Sequence, residues 1–348
     1  MHILINDFIG GALDRGIPLY VRNLIEGLRG EGLRISVVRA PAFCRKLPRG
    51  VLYLIAVVIE QTLLPAIGFW RRADLTIYPY NSVAVIDLLT RRGRIVVHDL
   101  EQLNRPLSFS KLYYLFCYRA VKAFNAPLFT ISEITRQRLT QSGLFGSGPV
   151  TLLPNTFYAF ERLAAAETPQ RAQSILLCTG STANKDLETV VTDYLPAVLA
   201  QGHYVSILGL HKATDMAKLQ PLAESMATGQ LHLCGRLSDA EVAREYRAHA
   251  IVWVHSLREG FGRCVVEGRL AGASVLATDI AEFDELRDGE VHLYKNPAGF
   301  FAALDRVIHT AKPAAPYTGY PYRELLRRAI DAVRPKPAPG AAQSPQAI

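Results

Sequence analysis

Residues 253–278 restrict the fold of this chain more than any other stretch, because two apolar runs are joined there by a glycine-rich turn and a short helical segment. The order strand, turn, helix, strand is the repeating unit of parallel α/β sheets. Gly260 and Gly262 in the turn allow the backbone to approach a ligand closely. This part of the chain is therefore predicted to be an α/β domain with a ligand at the start of a helix.

Two acidic residues flank this turn at a spacing of eight positions. Glu259 lies in the turn and Glu267 lies in the helix that follows. The free amides of a helix's first turn and the positive end of its dipole suit a phosphate, whereas carboxylates suit hydroxyl groups. A phosphate between two sets of hydroxyls describes a nucleotide sugar. The alternative is a surface turn with two solvated acids.

The block resembles the E-x7-E motif of the retaining glycosyltransferases of family 4. The resemblance implies an α/β structure of the GT-B type, in which two Rossmann-like domains face each other across a cleft. It also implies that Glu259 contacts the donor sugar near its reacting carbon and that Glu267 binds the nucleotide ribose. Gly260, Phe261 and Gly262 would belong to the same donor-binding turn.

Two further residues extend the resemblance to other parts of the chain. His98 follows an apolar strand, and family members with His-Asp-Leu at this place use the histidine near the donor sugar. Lys185, in an Asn-Lys pair before a helix, resembles the lysine that meets the donor pyrophosphate. The family's arginine a few residues upstream is missing here, and Arg263 or Arg258 could replace it. The alternatives are a structural histidine and a solvated lysine.

Several loops complete the predicted site. Gly16 aligns with the family's glycine before the first helix, and the resemblance places the nucleotide base on the loop with Gly235 and Arg236. Glu101 and Arg105 follow His98 and could meet the acceptor. The roles of these five residues are inferred from where their loops fall in the resemblance.

The resemblance covers nearly the whole chain, and 348 residues suit two domains of ordinary size. The segment 156–173 is predicted to be a hinge because it is polar and uneven. The predicted parts are an N-terminal acceptor domain over residues 1–160, a C-terminal donor domain over 161–315, a helix over 316–334 that crosses back to the first domain, and a disordered tail over 335–348.

Charge and cysteine usage limit the partners. The formal charge of +8 and the pI near 9.3 favour nucleic acid, anionic lipid or phosphorylated substrates. No interleaved aromatic and basic residues suggest base stacking, so nucleic acid is not expected. Five scattered cysteines without a C-x-x-C pair predict reduced thiols, with neither disulfide nor zinc. The N-terminus resembles a first strand rather than a signal peptide.

Residues 51–70 form an apolar run almost long enough to span a membrane. Glu60 and Gln61 near its centre, with Pro65 after them, argue against a span because an acid inside the bilayer is costly. A helix packed on the first domain is predicted instead, whose apolar face and basic flanks contact an anionic membrane surface. The alternative is a helix of the protein core.

No Asp-x-Asp sequence and no metal-ligand spacing is present, so transfer without a metal or other cofactor is predicted. Glu60-Gln61 with Pro65, together with Pro79-Tyr80-Asn81, most resembles the mannosyltransferase-like branch that builds bacterial surface polysaccharides such as lipopolysaccharide. That branch implies transfer of mannose or a related deoxysugar from a GDP-linked donor to a polysaccharide or lipid-linked acceptor, by a cytoplasmic enzyme at the inner membrane face. The alternatives are a non-catalytic GT-B scaffold or glycan-binding protein, and a GT-B nucleotide-sugar epimerase.

Overall fold

The computed structural model describes residues 1–10, 16–104, 106–165, 171–210, 213–225, 229–308 and 317–334. These residues form two α/β domains, each built around a parallel sheet of six strands. The prediction of two Rossmann-like domains that face each other across a cleft is confirmed. The predicted disordered tail over 335–348 lies outside the described residues.

The first sheet has the strand order β2-β1-β3-β4-β5-β6, in which β1 lies next to the edge strand β2. The chain therefore changes direction across the sheet between β1 and β3, and ligands of open α/β sheets bind beyond the strand ends at such a point. The central strands are buried on both faces, as parallel strands require. The strands of the first sheet are β1 (His2–Asp7), β2 (Arg34–Arg39), β3 (Leu75–Tyr78), β4 (Gly93–Val97), β5 (Leu128–Thr130) and β6 (Val150–Leu152).

Helices cover both faces of the first sheet. They are α1 (Ile17–Gly30), α2 (Arg49–Gln61), α3 (Leu63–Trp70), α4 (Val85–Leu89), α5 (Phe109–Ala123), α6 (Glu133–Ser142) and α7 (Tyr158–Ala164). Short 3₁₀ turns cover Ala42–Lys46 and Glu101–Asn104. Seven residues of the segment 156–173 form α7, and the hinge over that segment stays a prediction.

The prediction of one helix over residues 51–70 is wrong, because the run forms two helices that bend by 41° at Thr62. Pro65 has no amide hydrogen to bond the carbonyl of Gln61, which removes one link across the junction. The Thr62 hydroxyl instead bonds the carbonyl of Val58 at 2.7 Å. Within the described residues, no single helix is long and apolar enough to cross a membrane, although this bent pair meets the length and composition criteria together.

Glu60, a residue of α2, is buried against β1 and α5. Its carboxylate accepts hydrogen bonds from the Asn6 amide (2.7 Å), the Ser82 hydroxyl (2.9 Å) and the Tyr113 hydroxyl (2.7 Å). Burial raises the pKa of Glu60 to about 7, although these hydrogen bonds act in the opposite direction. The folded protein therefore holds a proton here that the unfolded chain releases near pH 4.5.

The free energy of unfolding is expected to fall between about pH 4.5 and 7 because of Glu60, by at most about 3 kcal/mol. The pKa is higher in the folded state, so the folded state binds more protons across this interval and loses that advantage as the pH rises. Urea unfolding at pH 5, 6, 7 and 8 measures the decline. The Glu60→Gln variant should lack this component, and parallel profiles for both proteins would show that Glu60 does not titrate as stated.

The second sheet has the strand order β12-β11-β10-β7-β8-β9. Counted from its first strand this is the 3-2-1-4-5-6 order of the Rossmann fold, and its change of direction lies between β7 and β10. Cys178 at the end of β7 pairs with Val254 at the end of β10, so the loops after both strands start side by side. The strands are β7 (Arg171–Cys178), β8 (Tyr204–Leu208), β9 (Leu231–Leu233), β10 (His249–Val254), β11 (Ser274–Thr278) and β12 (Val291–Tyr294).

The helices of the second domain follow the strands in alternation. They are α8 (Leu187–Thr189), which continues through a π-helical turn over Val190–Tyr194 into α9 (Leu195–Ala200), then α10 (Ala213–Ser225), α11 (Asp239–Ala248), α12 (Arg263–Leu270), α13 (Ala281–Asp284) and α14 (Pro297–Ile308). A 3₁₀ turn covers Ala183–Lys185. A capping box begins α11, because Ser238 and Glu241 bond each other's backbone amides.

The two domains contact each other directly beside the cleft. The Glu285 carboxylate accepts hydrogen bonds from the amides of Glu133 (2.7 Å) and Ile134 (3.0 Å), so an acid of the second domain binds the N-terminus of α6 in the first. Arg138 pairs with the buried Glu282 at 2.6 Å. The last helix, α15 (Tyr322–Val333), packs against α1 and β6 of the first domain.

Candidate active site

Asn184 connects the loop after β7 to the loop after β10 through three hydrogen bonds. Its carbonyl accepts hydrogen bonds from the amide of Leu257 (2.7 Å) and the hydroxyl of Ser256 (2.9 Å), and its side-chain amide donates to the carbonyl of Arg258 (3.0 Å). These bonds hold the 3₁₀ turn over Ala183–Lys185 against the glycine-rich turn. They explain why asparagine precedes the lysine in the sequence.

Lys185 and Glu259 form an ion pair at this junction. Lys185 Nζ lies 2.5 Å from Glu259 Oε1, and the two side chains are only 19% and 17% exposed. Burial acts to lower the pKa of Lys185, but the charge of Glu259 and the hydrogen bond between them outweigh it and raise the pKa above its ordinary value. The lysine is therefore a fixed positive charge beside a carboxylate at the change of direction in the second sheet.

The N-terminus of α12 begins directly after this pair. Gly262 has φ +94°, and a Cβ there would lie 2.8 Å from the Phe283 ring, so glycine is required both by the backbone and by packing. Arg263 in the first turn bonds Glu267 at 2.8 Å and Asn155 of the first domain at 3.1 Å. Its guanidinium also lies 4.5 Å from the centroid of the Phe157 ring.

His98 faces this turn from the first domain. Its Nε2 lies 2.9 Å from the Pro79 carbonyl, its amide donates to the Asn81 side chain at 3.0 Å, and the Tyr20 ring packs edge-on at 4.8 Å. A carbonyl can only accept, so Nε2 carries the hydrogen and Nδ1 is an acceptor. Burial lowers the pKa of His98 to about 4, against the effect of the Pro79 hydrogen bond, and the ring is neutral at physiological pH.

A cleft with a volume of about 980 Å³ runs between the domains at these strand ends. The start of α1 opens into it, where Gly16 precedes the helix with φ +69°. The N-termini of α1 and α12 therefore line one cavity from opposite domains, and their free amides and dipoles suit a ligand that carries negative charge.

The cleft brings together most of the residues that the sequence singled out. Gly260 lies closest to the first domain, since its carbonyl accepts a hydrogen bond from Ser132 at 3.1 Å and a Cβ there would lie 3.0 Å from the His98 carbonyl. The predicted residues that line the cleft are Gly16, His98, Lys185, Arg236, Glu259, Gly260, Phe261, Gly262, Arg263 and Glu267.

The remaining predicted residues lie outside the cleft lining or border the cleft mainly through their backbone. Gly235 lies outside the residues that line the cleft, although its neighbour Arg236 is among them. Glu101 also lies outside this lining and instead pairs with Arg258 of the second domain at 3.2 Å. The side chain of Phe261 is buried against Tyr320, so this residue borders the cleft mainly through its backbone. Arg105 lies outside the described residues.

The two proposed replacements for the missing phosphate-binding arginine are both paired. Arg263 is held by Glu267 and Asn155, and Arg258 extends to Glu101 at the domain boundary. A diphosphate would have to compete with a carboxylate for either guanidinium. Lys185 is likewise paired with Glu259, so the amides of α12 are the groups best placed for a phosphate in the second domain, with Lys185 beside them.

Sequence reasoning missed a polar group at the change of direction in the first sheet. Asp7 at the end of β1 lines the cleft and accepts hydrogen bonds from Tyr80 (2.7 Å) and Arg39 (2.8 Å). Asn155, which follows β6, also lines the cleft. The position of Asp7 at the carboxyl end of the first strand was the signal that could have identified it.

The described part of the chain contains no group of three or more histidine, cysteine, aspartate or glutamate side chains arranged to hold a metal ion. The predicted transfer without a metal stays a prediction.

Two parallel six-stranded α/β domains with a cleft between their strand ends define the GT-B fold. Solved structures share it over almost the entire chain. Sucrose-phosphate synthase from Thermosynechococcus elongatus is 18% identical with a TM-score of 0.62, covering 95% of this chain and 96% of that one. Starch synthase IV from Arabidopsis thaliana, bound to ADP and acarbose, is 11% identical with a TM-score of 0.67, covering 95% and 99%.

A third similar structure is UDP-GlcNAc 2-epimerase from Methanocaldococcus jannaschii, which is 10% identical with a TM-score of 0.60 and covers 95% of this chain and 98% of that chain. In sequence, residues 173–310 match the family model described as glycosyl transferases group 1. A comparison with curated protein sequences finds no match. The fold is thus GT-B, and the match to the family model covers the part of the chain that contains Lys185, Glu259 and α12.

Proposed function

We propose that the protein is a retaining glycosyltransferase that moves a hexose from a nucleotide sugar to a polysaccharide or lipid-linked glycan. The observation that carries this proposal is the Lys185–Glu259 pair at the N-terminus of α12, which lines the same cleft as His98 of the first domain. A positive charge and a carboxylate that meet beside the free amides of a helix start suit a sugar joined to a diphosphate.

Each group has one role in the proposed transfer. The α12 amides and Lys185 bind the diphosphate and stabilise the charge that develops on it when the sugar leaves. Glu259 accepts hydrogen bonds from sugar hydroxyls, while Glu267 binds the ribose. Neutral His98 contacts the sugar from the first domain. The acceptor hydroxyl attacks from that domain, and closure of the cleft excludes water that would otherwise hydrolyse the donor.

The donor is proposed to be GDP-mannose or the GDP-linked form of a related deoxysugar. This choice rests on the resemblance of the sequence to the mannosyltransferase-like branch. Transfer needs no metal in this proposal, because Lys185 and the helix amides supply the positive charge.

A panel of GDP-, UDP- and dTDP-sugars in a thermal-shift assay tests the donor. A ligand at 100 times its Kd stabilises the folded state by about 2.7 kcal/mol, so the matching nucleotide should raise the melting temperature by several degrees. The GDP-sugars are expected to give the largest shift. Lys185→Ala should reduce that shift, whereas Lys295→Ala, an exposed lysine paired with Asp279, should not. An equal or absent response to every nucleotide would contradict the proposal.

The similarity of the epimerase supports a second candidate, the interconversion of a free nucleotide sugar. An epimerase needs no acceptor. Incubation of the donor with the protein alone, followed by proton NMR of the sugar, separates the two functions. New anomeric signals without acceptor would favour epimerisation over transfer.

An apolar face on the first domain supports a lipid-linked acceptor. Its three helices are adjacent, because the Tyr53 ring of α2 packs edge-on against Phe109 of α5 and α3 continues from α2. Arg71 and Arg72 follow α3 directly and are exposed, so basic side chains border the face. The exposed apolar residues of the face are Val51, Leu54, Val58, Leu63, Phe69, Trp70, Phe109, Leu112 and Phe116.

This combination suits the surface of an anionic membrane, because apolar side chains enter the acyl boundary while arginines meet the headgroups. We therefore place the protein at the inner face of the cell membrane, as a cytoplasmic, peripherally bound enzyme.

Flotation with vesicles that contain an anionic phospholipid is expected to carry the wild-type protein to the top of a density gradient. Phe69→Asp with Trp70→Asp should abolish this binding, because these side chains are 74% and 79% exposed. Tyr204→Asp, an exposed aromatic residue of the second domain, is the matched control and should still float. Failure of the wild-type protein to float, or flotation of the double variant, would contradict the membrane proposal.

A further inference from the structure

Arg263 and Glu267 form an ion pair in the wall of the cleft, one helical turn apart on α12. The Arg263 guanidinium lies 2.8 Å from the Glu267 carboxylate, and the two side chains are 17% and 10% exposed. Both residues line the cleft. The proposed transfer gives Glu267 the ribose as its ligand, but it assigns no role to Arg263, the first residue of the helix whose amides are proposed to bind the diphosphate.

The first domain holds the same arginine from the other side of the cleft. Arg263 donates to Oδ1 of Asn155 at 3.1 Å, and its guanidinium lies 4.5 Å from the centroid of the Phe157 ring. An arginine can only donate, so the oxygen of the Asn155 amide faces it and the nitrogen does not. Within the described residues, neither that nitrogen nor Nε of Arg263 has a hydrogen-bond partner, although both are buried.

Two unpartnered donors in the wall of a cleft suit a ligand that is rich in acceptors. Asn155 lines the cleft and is 2% exposed, and a buried donor without a partner is unfavourable. Phosphate oxygens are strong acceptors, and a guanidinium binds them through two parallel hydrogen bonds. Arg263 therefore suits a phosphate by its chemistry and its position, whereas its pairing with Glu267 opposes that role.

We propose that binding of a nucleoside diphosphate exchanges the partners of Arg263 and Glu267, and that this partner exchange selects a complete nucleotide over free pyrophosphate. The ribose hydroxyls donate to the Glu267 carboxylate, the carboxylate releases Arg263, and the guanidinium pairs with the diphosphate. The inference rests on the proposed function, because it uses the ribose and the diphosphate of the donor.

The selectivity follows from the burial of the ion pair. Removal of one partner from a buried ion pair is strongly unfavourable, because the remaining charge loses its compensation. Inorganic pyrophosphate has no ribose hydroxyls, so it takes Arg263 only by leaving Glu267 unpaired. A nucleoside diphosphate supplies a new partner to each residue, hydroxyls to the carboxylate and phosphate to the guanidinium. The ribose thereby controls the access of Arg263 to the phosphates.

Isothermal titration calorimetry of the full chain with GDP and with inorganic pyrophosphate tests the partner exchange. UDP or dTDP replaces GDP if the thermal-shift panel selects it. Glu267→Gln keeps the shape of the side chain and frees Arg263, so pyrophosphate should bind about tenfold more tightly than to the wild-type protein, while GDP affinity should not rise. Unchanged or weaker pyrophosphate binding by Glu267→Gln would overturn the proposal, because a carboxylate that only binds ribose does not restrain the arginine.

A double variant identifies the source of the gain. Glu267→Gln with Arg263→Met should return the pyrophosphate affinity to the wild-type level. A gain that persists without the arginine would assign the effect to the lost negative charge and would also overturn the proposal. Glu324→Gln is the matched control, because Glu324 pairs with Arg328 at the same spacing on α15 outside the cleft lining, and it should bind both ligands as the wild type does.

A second measurement leaves Glu267 intact and is decisive even where Glu267→Gln does not fold. In the wild-type protein, 2′,3′-dideoxy-GDP should bind about 100-fold more weakly than GDP, because the loss of the hydroxyls also withholds Arg263 from the phosphates. In Arg263→Met the same comparison should give about tenfold, since only the contacts of the hydroxyls are lost. Equal ratios in the two proteins would show that the ribose and the arginine are not coupled.

The ligands separate this inference from the proposed function. If GDP binds the wild-type protein while Glu267→Gln leaves the pyrophosphate affinity unchanged, the nucleotide site stands and the partner exchange is wrong. If no nucleotide of the thermal-shift panel binds the wild-type protein, the proposed function fails, and the inference that rests on it fails with it.

Discussion

Replacement of Glu259 by glutamine is expected to lower the rate of sugar transfer by about 100-fold or more, because hydrogen bonds to a charged group contribute about 1.5 to 3 kcal/mol and Glu259 accepts several from the sugar. Glutamine keeps an acceptor for Lys185 Nζ, which lies 2.5 Å from the carboxylate, so the loop contacts should persist. Transfer of labelled sugar from the donor, followed with time, measures the effect.

The matched control for Glu259→Gln is Glu188→Gln, since Glu188 is exposed on α8 outside the cleft lining. The control variant should retain wild-type transfer. Glu259→Ala removes the partner of Lys185 altogether, and it should combine the loss of transfer with a lower melting temperature. Wild-type rates in Glu259→Gln would exclude the charge of the carboxylate from the chemistry, and a wild-type protein without any transfer would favour a scaffold or binding protein.

Replacement of Lys185 by alanine is expected to lower transfer by about 100-fold or more, because the developing charge on the leaving diphosphate loses a positive partner in a site that excludes water. The loss should appear mainly in kcat, since the charge grows as the bond to the sugar breaks. Lys185→Arg should recover only part of the rate, because a planar guanidinium does not reproduce the compact ammonium charge.

A double variant distinguishes the two roles of Lys185. If the lysine acts only by orienting Glu259, the double variant Lys185→Ala with Glu259→Gln should be no slower than Glu259→Gln alone. If it also meets the diphosphate, the double variant should be slower by a further factor. A Lys185→Ala protein with unchanged kcat would remove the lysine from the proposed mechanism.

The α/β class of the chain and the glycine-rich turn that lines the cleft could be predicted from local sequence. Apolar runs bounded by glycine and polar residues identified the main strands, and the loops after two adjacent parallel strands necessarily meet at one sheet edge. The contact between Lys185 and Glu259, 74 positions apart, follows from the adjacency of β7 and β10. The hydrogen bonds by which Asn184 connects the two loops could not be predicted, because in the sequence Asn184 is only the residue before Lys185.

Contacts between the domains could not be predicted, because they depend on how two separately folded bodies meet. Arg263 is an example, since its position at the start of α12 suggested a phosphate ligand, whereas Asn155 of the first domain and Glu267 hold it in place. Glu285 is another example, because its position in the sequence does not reveal that it bonds the amides at the start of α6. The break at Thr62 depended on a single proline in an otherwise continuous apolar run.

The central claim is that a nucleoside diphosphate binds in the second domain at the start of α12. A crystal structure of the protein with the nucleoside diphosphate selected by the thermal-shift panel tests it most directly. We predict phosphate oxygens within about 3.2 Å of the amides of α12's first turn and of Lys185 Nζ, with the ribose at Glu267. Nucleotide density bound elsewhere, with the Lys185–Glu259 pair undisturbed and no phosphate at α12, would contradict the account.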